Sequence, residues 1–156
     1  MHRPPPESFI PRDPAYAGRV RASFARQRAM ALIGATLERV EPGCTEIHLP
    51  TRDDLTQQHG FIHGGVIGMV ADSAAGYAAA TLVAADAEVL TVEYKLNLVA
   101  PAEGEYLVAR GEVVKSGRSL SITRADVFAV RAGAWRLCAV MQQTIMNLHA
   151  RPGPSS

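Results

Sequence analysis

The spacing of apolar and polar positions changes several times along this chain of 156 residues, and each change marks an element. From Pro14 to about Met30, the residues Tyr16, Val20, Phe24 and Met30 recur at near-helical spacing with arginines between them. That pattern predicts an amphipathic surface helix opened by Pro14, with its apolar side docked on a sheet. Two short alternating runs follow, Ala35 to Glu41 and Cys44 to Pro50, parted by Pro42-Gly43, which reads as a hairpin. Thr51 to Ile62 is polar and reads as a loop. From Val66 to Ala85 the alternation disappears and the residues are mostly Val, Ile, Met, Ala and Gly. A helix over about His63 to Ala85 is predicted, hydrophobic nearly all round and therefore enclosed by other elements.

Four strand segments are predicted after it: Val89 to Val99, Tyr106 to Lys115, Ser119 to Val130 and Trp135 to Asn147. Turn residues separate them at Pro101 to Gly104, Ser116-Gly117 and Ala132-Gly133. Such short connections predict antiparallel neighbours. Thr123, Ala125, Val127 and Ala129 alternate with Arg124, Asp126 and Phe128, so one sheet face is apolar and needs covering. The apolar helix is the element able to cover it, which makes the chain an α+β domain.

Composition narrows the partners. Sixteen Lys and Arg stand against 15 Asp and Glu, without a basic stripe, which gives no footprint for nucleic acid or an anionic membrane. Asp72, Ser73, Gly76 and Thr81 interrupt the long apolar stretch, so it is not read as a membrane span. Cys44 and Cys138 both fall in strand segments, a disulfide framework is not expected, and a reducing cytoplasm fits. Prolines and Glu7 break up the amino terminus, so it does not read as a signal peptide. Residues 1–13 and 151–156 are rich in Pro, Gly and Ser and are expected to be mobile, leaving 14–150 as a single domain.

The chemistry concentrates around His63-Gly64-Gly65 and Asp72. A carboxylate in an enclosed apolar helix is either well hydrogen-bonded for structural reasons or kept for chemistry, because burying it without partners costs several kcal/mol, of order. Two glycines at a helix entrance are either a backbone bend or a place where a ligand meets the unpaired N–H groups of the first turn. Those N–H groups, at the positive end of the helix dipole, suit the oxygen of a tetrahedral intermediate.

Gln57, Gly60, His63, Gly64, Gly65 and Asp72 together spell an amide residue, G-x-x-H-G-G and an acid seven residues further on. This pattern resembles the hot-dog fold acyl-CoA thioesterases of the PaaI-like family, related to 4-hydroxybenzoyl-CoA thioesterases, over roughly residues 30 to 147. The resemblance implies an antiparallel sheet wrapped around one long central helix. It also implies that Gly64 supplies the oxyanion N–H, that Asp72 is the nucleophile or general base, and that Gln57 holds the thioester or the attacking water. The family's strand hydroxyl falls on Thr91 with a one-residue shift in the alignment. Asn is more familiar beside Asp in this position, and Gln beside Glu, so the chain mixes two branches.

Gly64 and Asp72 are eight residues apart, ~12 Å along a helix, whereas one carbonyl must lie roughly 3 Å from both. Two antiparallel helices across a two-fold axis would bring Gly64 of one copy to Asp72 of the other, in agreement with the homodimer or dimer of dimers that the resemblance implies. His63 is expected to orient or cap the loop, with Gly65 beside it, or to take a direct part. Lys115, Gly117, Arg118 and Ser119 form either an ordinary solvated turn or, as the resemblance favours, a site for the phosphates of coenzyme A. His59 and His63 are four apart, but with the helix beginning near His63, His59 lies in the loop before it. These two and Asp72 therefore do not make a helical set of metal ligands, and no metal or cofactor is expected beyond coenzyme A as part of the substrate. The rival functions are a non-catalytic acyl-CoA binding module and a hot-dog hydratase or dehydratase.

Overall fold

The computed structural model describes residues 9–149. The expected mobile ends therefore lie outside the described residues, apart from 9–13. Within those, Phe9 packs against the cluster of Ala78, Ala79 and Leu82. The buried Asp13 accepts from the Ala15 N–H at 2.9 Å and pairs with the Arg19 guanidinium at 2.8 Å.

The expected N-terminal helix is two helices, α1 (Tyr16–Ala25) and α2 (Arg28–Ile33). At 100° per residue a straight helix would turn Met30 about 120° away from Phe24. An extended Gln27 (φ −79°, ψ 95°) breaks the helix instead, and Met30 and Ile33 both reach the core. Gly34 ends α2 in the left-handed conformation (φ 77°) that glycine adopts without a Cβ penalty.

The remaining elements are β1 (Thr36–Glu41), β2 (Cys44–Pro50), α3 (Gly64–Ala80), β3 (Glu88–Leu98), β4 (Tyr106–Ser116), β5 (Leu120–Arg131) and β6 (Ala134–Leu148). All six strands form one antiparallel sheet in the order β1-β2-β4-β5-β6-β3. The strand limits agree with those predicted to within about a residue. The neighbours do not all agree, because β3 pairs with β6 rather than with β4, and β4 is flanked by β2 and β5. The link 99–105 is long enough for this: seven extended residues reach ~24 Å, and three strand spacings need only ~14 Å. It is tied down where it crosses, with the Ile62 N–H donating to Ala102 O at 3.0 Å and the Glu105 N–H to Val130 O at 2.8 Å.

The sheet curls around α3, which packs on β2, β3, β4, β5 and β6. Val70, Ala71, Ala74 and Ala75 of α3 meet Ile47, Leu107, Ala109, Ala125 and Val127 in the main core. β4 runs hard against the helix backbone at Gly111, where an added Cβ would fall 2.3 Å from the Ala74 carbonyl. Gly111→Ala is expected to lower stability by about 2–3 kcal/mol through overpacking, read from urea unfolding at unchanged m. A loss below about 0.5 kcal/mol would mean that strand and helix separate freely here.

α3 differs from expectation in two ways. It stops at Ala80, where the Thr81 hydroxyl donates to Ala78 O at 2.6 Å and accepts from the Gly43 N–H at 2.8 Å. Leu82 and Val83 remain buried in the turn that follows, so the apolar run reported burial rather than helix. Nor is the helix enclosed all round by its own chain. Gly65, Met69, Asp72 and Gly76, one stripe at helical spacing, are not fully covered. The stripe runs beside β3, whose outer edge is unpaired and which exposes Leu90, Val92, Tyr94 and Leu98.

Candidate active site

His63 is the N-cap of α3, extended at φ −60° and ψ 136°, and its Nδ1 accepts from the Gly65 N–H at 2.8 Å. In a neutral ring that leaves the proton on Nε2. Gly65 permits the contact, since an added Cβ would stand 3.0 Å from Nδ1. The Val66 and Ile67 N–H groups donate to His63 O at 2.9 and 3.1 Å. Among the described residues no acceptor bonds the Gly64 N–H. Gly64 opens on a cleft lined by Gln57, Phe61, Leu98 and Pro101. Gln57 is fixed in its loop by donating its backbone N–H to Phe61 O at 2.8 Å and by accepting at Oε1 from the His59 N–H. Its side-chain NH2 donates to none of the described residues.

Asp72 lies two turns further along α3 and is half-buried. Its Oδ1 accepts from Thr91 Oγ1 at 2.7 Å and from Gln143 Nε2. Gln143, on β6, also donates from Nε2 to Thr91 Oγ1 at 2.8 Å, and its Oε1 accepts from Thr123 Oγ1 at 3.2 Å. These bonds explain how an apolar helix tolerates the carboxylate. β3 carries a one-residue offset immediately after Thr91, where the register with β6 shifts between Thr91 and Glu93. Bulges of this kind re-aim side chains beside them.

Asp72 and Thr91 line a cleft of about 340 Å³ with Ser23, Gln27 and Tyr77. This cleft and the one at Gly64 have no lining residue in common. One chain therefore brings Gln57 to Gly64, and Thr91 to Asp72, without joining the two pairs.

Lys115, Gly117, Arg118 and Ser119 lie at the hairpin joining β4 to β5. The Gly117 N–H donates to Leu120 O at 2.9 Å, and a Cβ on Gly117 would meet that oxygen at 2.5 Å. Three donors from the end of β6 and just beyond it hold the turn: Asn147 Nδ2 to Gly117 O, the Asn147 N–H to Ser119 O, and His149 Nε2 to Arg118 O. Lys115 and Arg118 are exposed, and neither pairs with a carboxylate among the described residues. The register from Thr91 through Ile145 and Ser121 to Ser116 puts the turn at the same end of the sheet as the Asp72 cleft.

Gln143 and Thr123 escape a reading of the sequence for chemistry. A signal was present: Gln143 takes a core-facing position of β6 between the buried Met141 and Ile145, and is itself 1% exposed. Among the described residues no three His, Cys, Asp or Glu gather as metal ligands, and no helix is long and apolar enough to cross a membrane. Both cysteines are free thiols, and burial pushes that of Cys138 up to about 11.

A six-stranded antiparallel sheet curled around one long helix, with a Gly-Gly turn at the helix entrance, defines the hot-dog class. The thioesterase superfamily model matches residues 59–133. The crystal structure of a thioesterase family protein from Silicibacter pomeroyi is 49% identical and superposes with a TM-score of 0.85, over 86% of this chain and 99% of that one. The PaaI protein of the E. coli phenylacetic acid degradation operon has the same fold at 14% identity, with a TM-score of 0.75 over 85% of this chain and 93% of that one. A 1,4-dihydroxy-2-naphthoyl-CoA hydrolase from Listeria monocytogenes is 29% identical over 90 residues, 58% of this chain and 73% of its own length. The chain belongs to the thioesterase superfamily, and it is a thioester hydrolase.

Proposed function

We propose that the protein hydrolyses acyl-CoA thioesters at sites shared between two copies of the chain, with Asp72 as nucleophile or general base and the Gly64 N–H as oxyanion donor. The observation that carries this reading is the separation of the two clefts, one holding Gly64 and Gln57, the other Asp72 and Thr91. Eight residues of helix put ~12 Å between the donor and the acid. A second α3, antiparallel to the first along the open stripe of Gly65, Met69, Asp72 and Gly76, would bring Gly64 of one copy to Asp72 of the other. The unpaired edge and exposed apolar side chains of β3 favour the same contact.

In the reaction, by one route, water activated by Asp72 adds to the thioester carbonyl and the C–S bond breaks to release the acid and the coenzyme A thiol. By the other, Asp72 itself attacks, the C–S bond breaks to release the thiol as the anhydride forms, and water then hydrolyses the anhydride to the acid and free Asp72. Charge develops on the carbonyl oxygen, for which the unbonded Gly64 N–H is the available donor. Gln57, with its NH2 uncommitted, holds the thioester or the water. His63 and Gly65 act by fixing the loop through their mutual hydrogen bond.

Coenzyme A is the proposed carrier, supported by the Listeria relative's named substrate and by the exposed Lys115 and Arg118 beside the turn at Gly117 and Ser119. Thiol release from a panel of acyl-CoAs and of the matching acyl-pantetheines tests the reading. Wild type should hydrolyse acyl-CoA, whereas binding without thiol release would identify a non-catalytic module. Arg118→Ala should raise KM for acyl-CoA about tenfold with kcat within about twofold, because a phosphate contact remote from the carbonyl supplies uniform binding. Acyl-pantetheine, lacking those phosphates, should be indifferent. An equal response to both substrates would make the turn structural.

A further inference from the structure

Gln143 has the geometry of a device acting on Asp72. It sits on β6 with almost no exposure, in the row formed by Met141 and Ile145, where an apolar side chain of similar size would avoid burying an amide. Its orientation is set from behind. Thr123, on β5, donates from Oγ1 to Gln143 Oε1 at 3.2 Å, so the NH2 end of the amide faces α3. Nε2 has two hydrogens and two acceptors, Asp72 Oδ1 and Thr91 Oγ1. The single hydrogen of the Thr91 hydroxyl then goes to Asp72 Oδ1 at 2.7 Å. Every donor of this cluster is spent, and two of its hydrogens end on the same carboxylate oxygen. Asp72 Oδ2 receives none among the described residues.

We infer that Gln143 is a positioning residue, anchored by Thr123, that together with Thr91 locks Oδ1 of Asp72 and leaves Oδ2 as the oxygen free to react. The inference rests on the reading of Asp72 as the acid of hydrolysis. Two consequences follow from the geometry. The carboxylate cannot rotate without breaking two hydrogen bonds, so Oδ2 keeps one direction of approach. The two donors also occupy Oδ1, so that oxygen is not open to a substrate or a water.

The other groups on this cleft do not duplicate that effect. On α1, Arg19 is engaged with Asp13, and Arg26 donates to Ala22 O. The Tyr77 hydroxyl of α3 lies against Ser23 Oγ at 3.4 Å, and Glu88 stands at the start of β3. From the sheet, Gln143 of β6 bonds Asp72, Ile145 of β6 lines the cleft and Thr123 of β5 stands behind Gln143, all three uncharged.

The test compares wild type, Gln143→Leu and Thr123→Val by two readouts: the carbon-13 NMR chemical shift of the Asp72 side-chain carboxyl in the free protein at neutral pH, and kcat and KM for acyl-CoA measured separately. Removing the Gln143 donor should shift the Asp72 carboxyl resonance and lower kcat about tenfold with KM within about twofold, because the acid loses its fixed direction of approach. Thr123→Val, which keeps the shape of the core and touches Asp72 nowhere, should move both in the same direction by less. It also serves if Gln143→Leu fails to fold. An unmoved carboxyl resonance and an unchanged kcat in the folded variants would overturn the assignment of Gln143. The NMR readout needs no turnover, so it decides the role of Gln143 even if wild type leaves acyl-CoA intact, a result that would instead overturn the proposed function.

Discussion

Asp72→Asn is expected to leave a folded protein whose acyl-CoA hydrolysis falls by at least about a hundredfold, the scale of losing a positioned acid or base. The substitution is mild for the fold. Asparagine keeps an Oδ1 that can still accept from Thr91 and Gln143, so no buried donor loses its partner. What disappears is the charge and the second oxygen, the parts that chemistry would use. Thermal melting of the purified variant within a few degrees of wild type, together with kcat/KM for acyl-CoA, checks both halves. Turnover close to wild type in a folded variant would remove Asp72 from the mechanism.

Mixing two inactive variants should restore activity. Asp72→Asn disables the acid, and Gly64→Pro removes the N–H while proline remains acceptable in the first turn of a helix. A Cβ added at Gly64 would meet the Leu98 side chain, with Cδ1 at 2.8 Å. If each site takes Gly64 from one copy and Asp72 from the other, a hybrid contains one doubly damaged site and one intact site. With half of the dimers mixed and sites independent, activity should reach about a quarter of wild type. Hybrids verified by native mass spectrometry that stay inactive would place donor and acid in one chain and end the two-copy reading.

The sequence is informative where a period is local and uniform. Strand limits could be read from alternation, because Thr123, Ala125, Val127 and Ala129 are buried while Arg124, Asp126 and Phe128 between them are not. Pairing could not, since the order of strands depends on where a link such as 99–105 crosses, and extended residues reach several strands. Enclosure of α3 fails for a related reason: Gly65, Met69 and Gly76 are as small or apolar as their neighbours whether or not this chain covers them, and Asp72 alone marks the open stripe. The motif from Gln57 to Asp72 is legible as spacing. The partners of Asp72 are not, because Thr91 and Gln143 come from strands 19 and 71 residues away and meet it only through the sheet.

The strand order has a consequence for the chain as it is made. β3 ends at Leu98, and its one partner in the sheet, β6, ends at Leu148, fifty residues later. At translation rates of about 5–20 residues per second, β3 waits some 2.5–10 s with both edges bare before its partner has been synthesised. Leu90, Val92, Tyr94, Leu96 and Leu98 belong to that waiting strand, an apolar segment with strong strand propensity. Glu88, Glu93 and Lys95 are spaced along it and interrupt the apolar run with charge, as gatekeeper residues do in segments that must stay soluble before they pair.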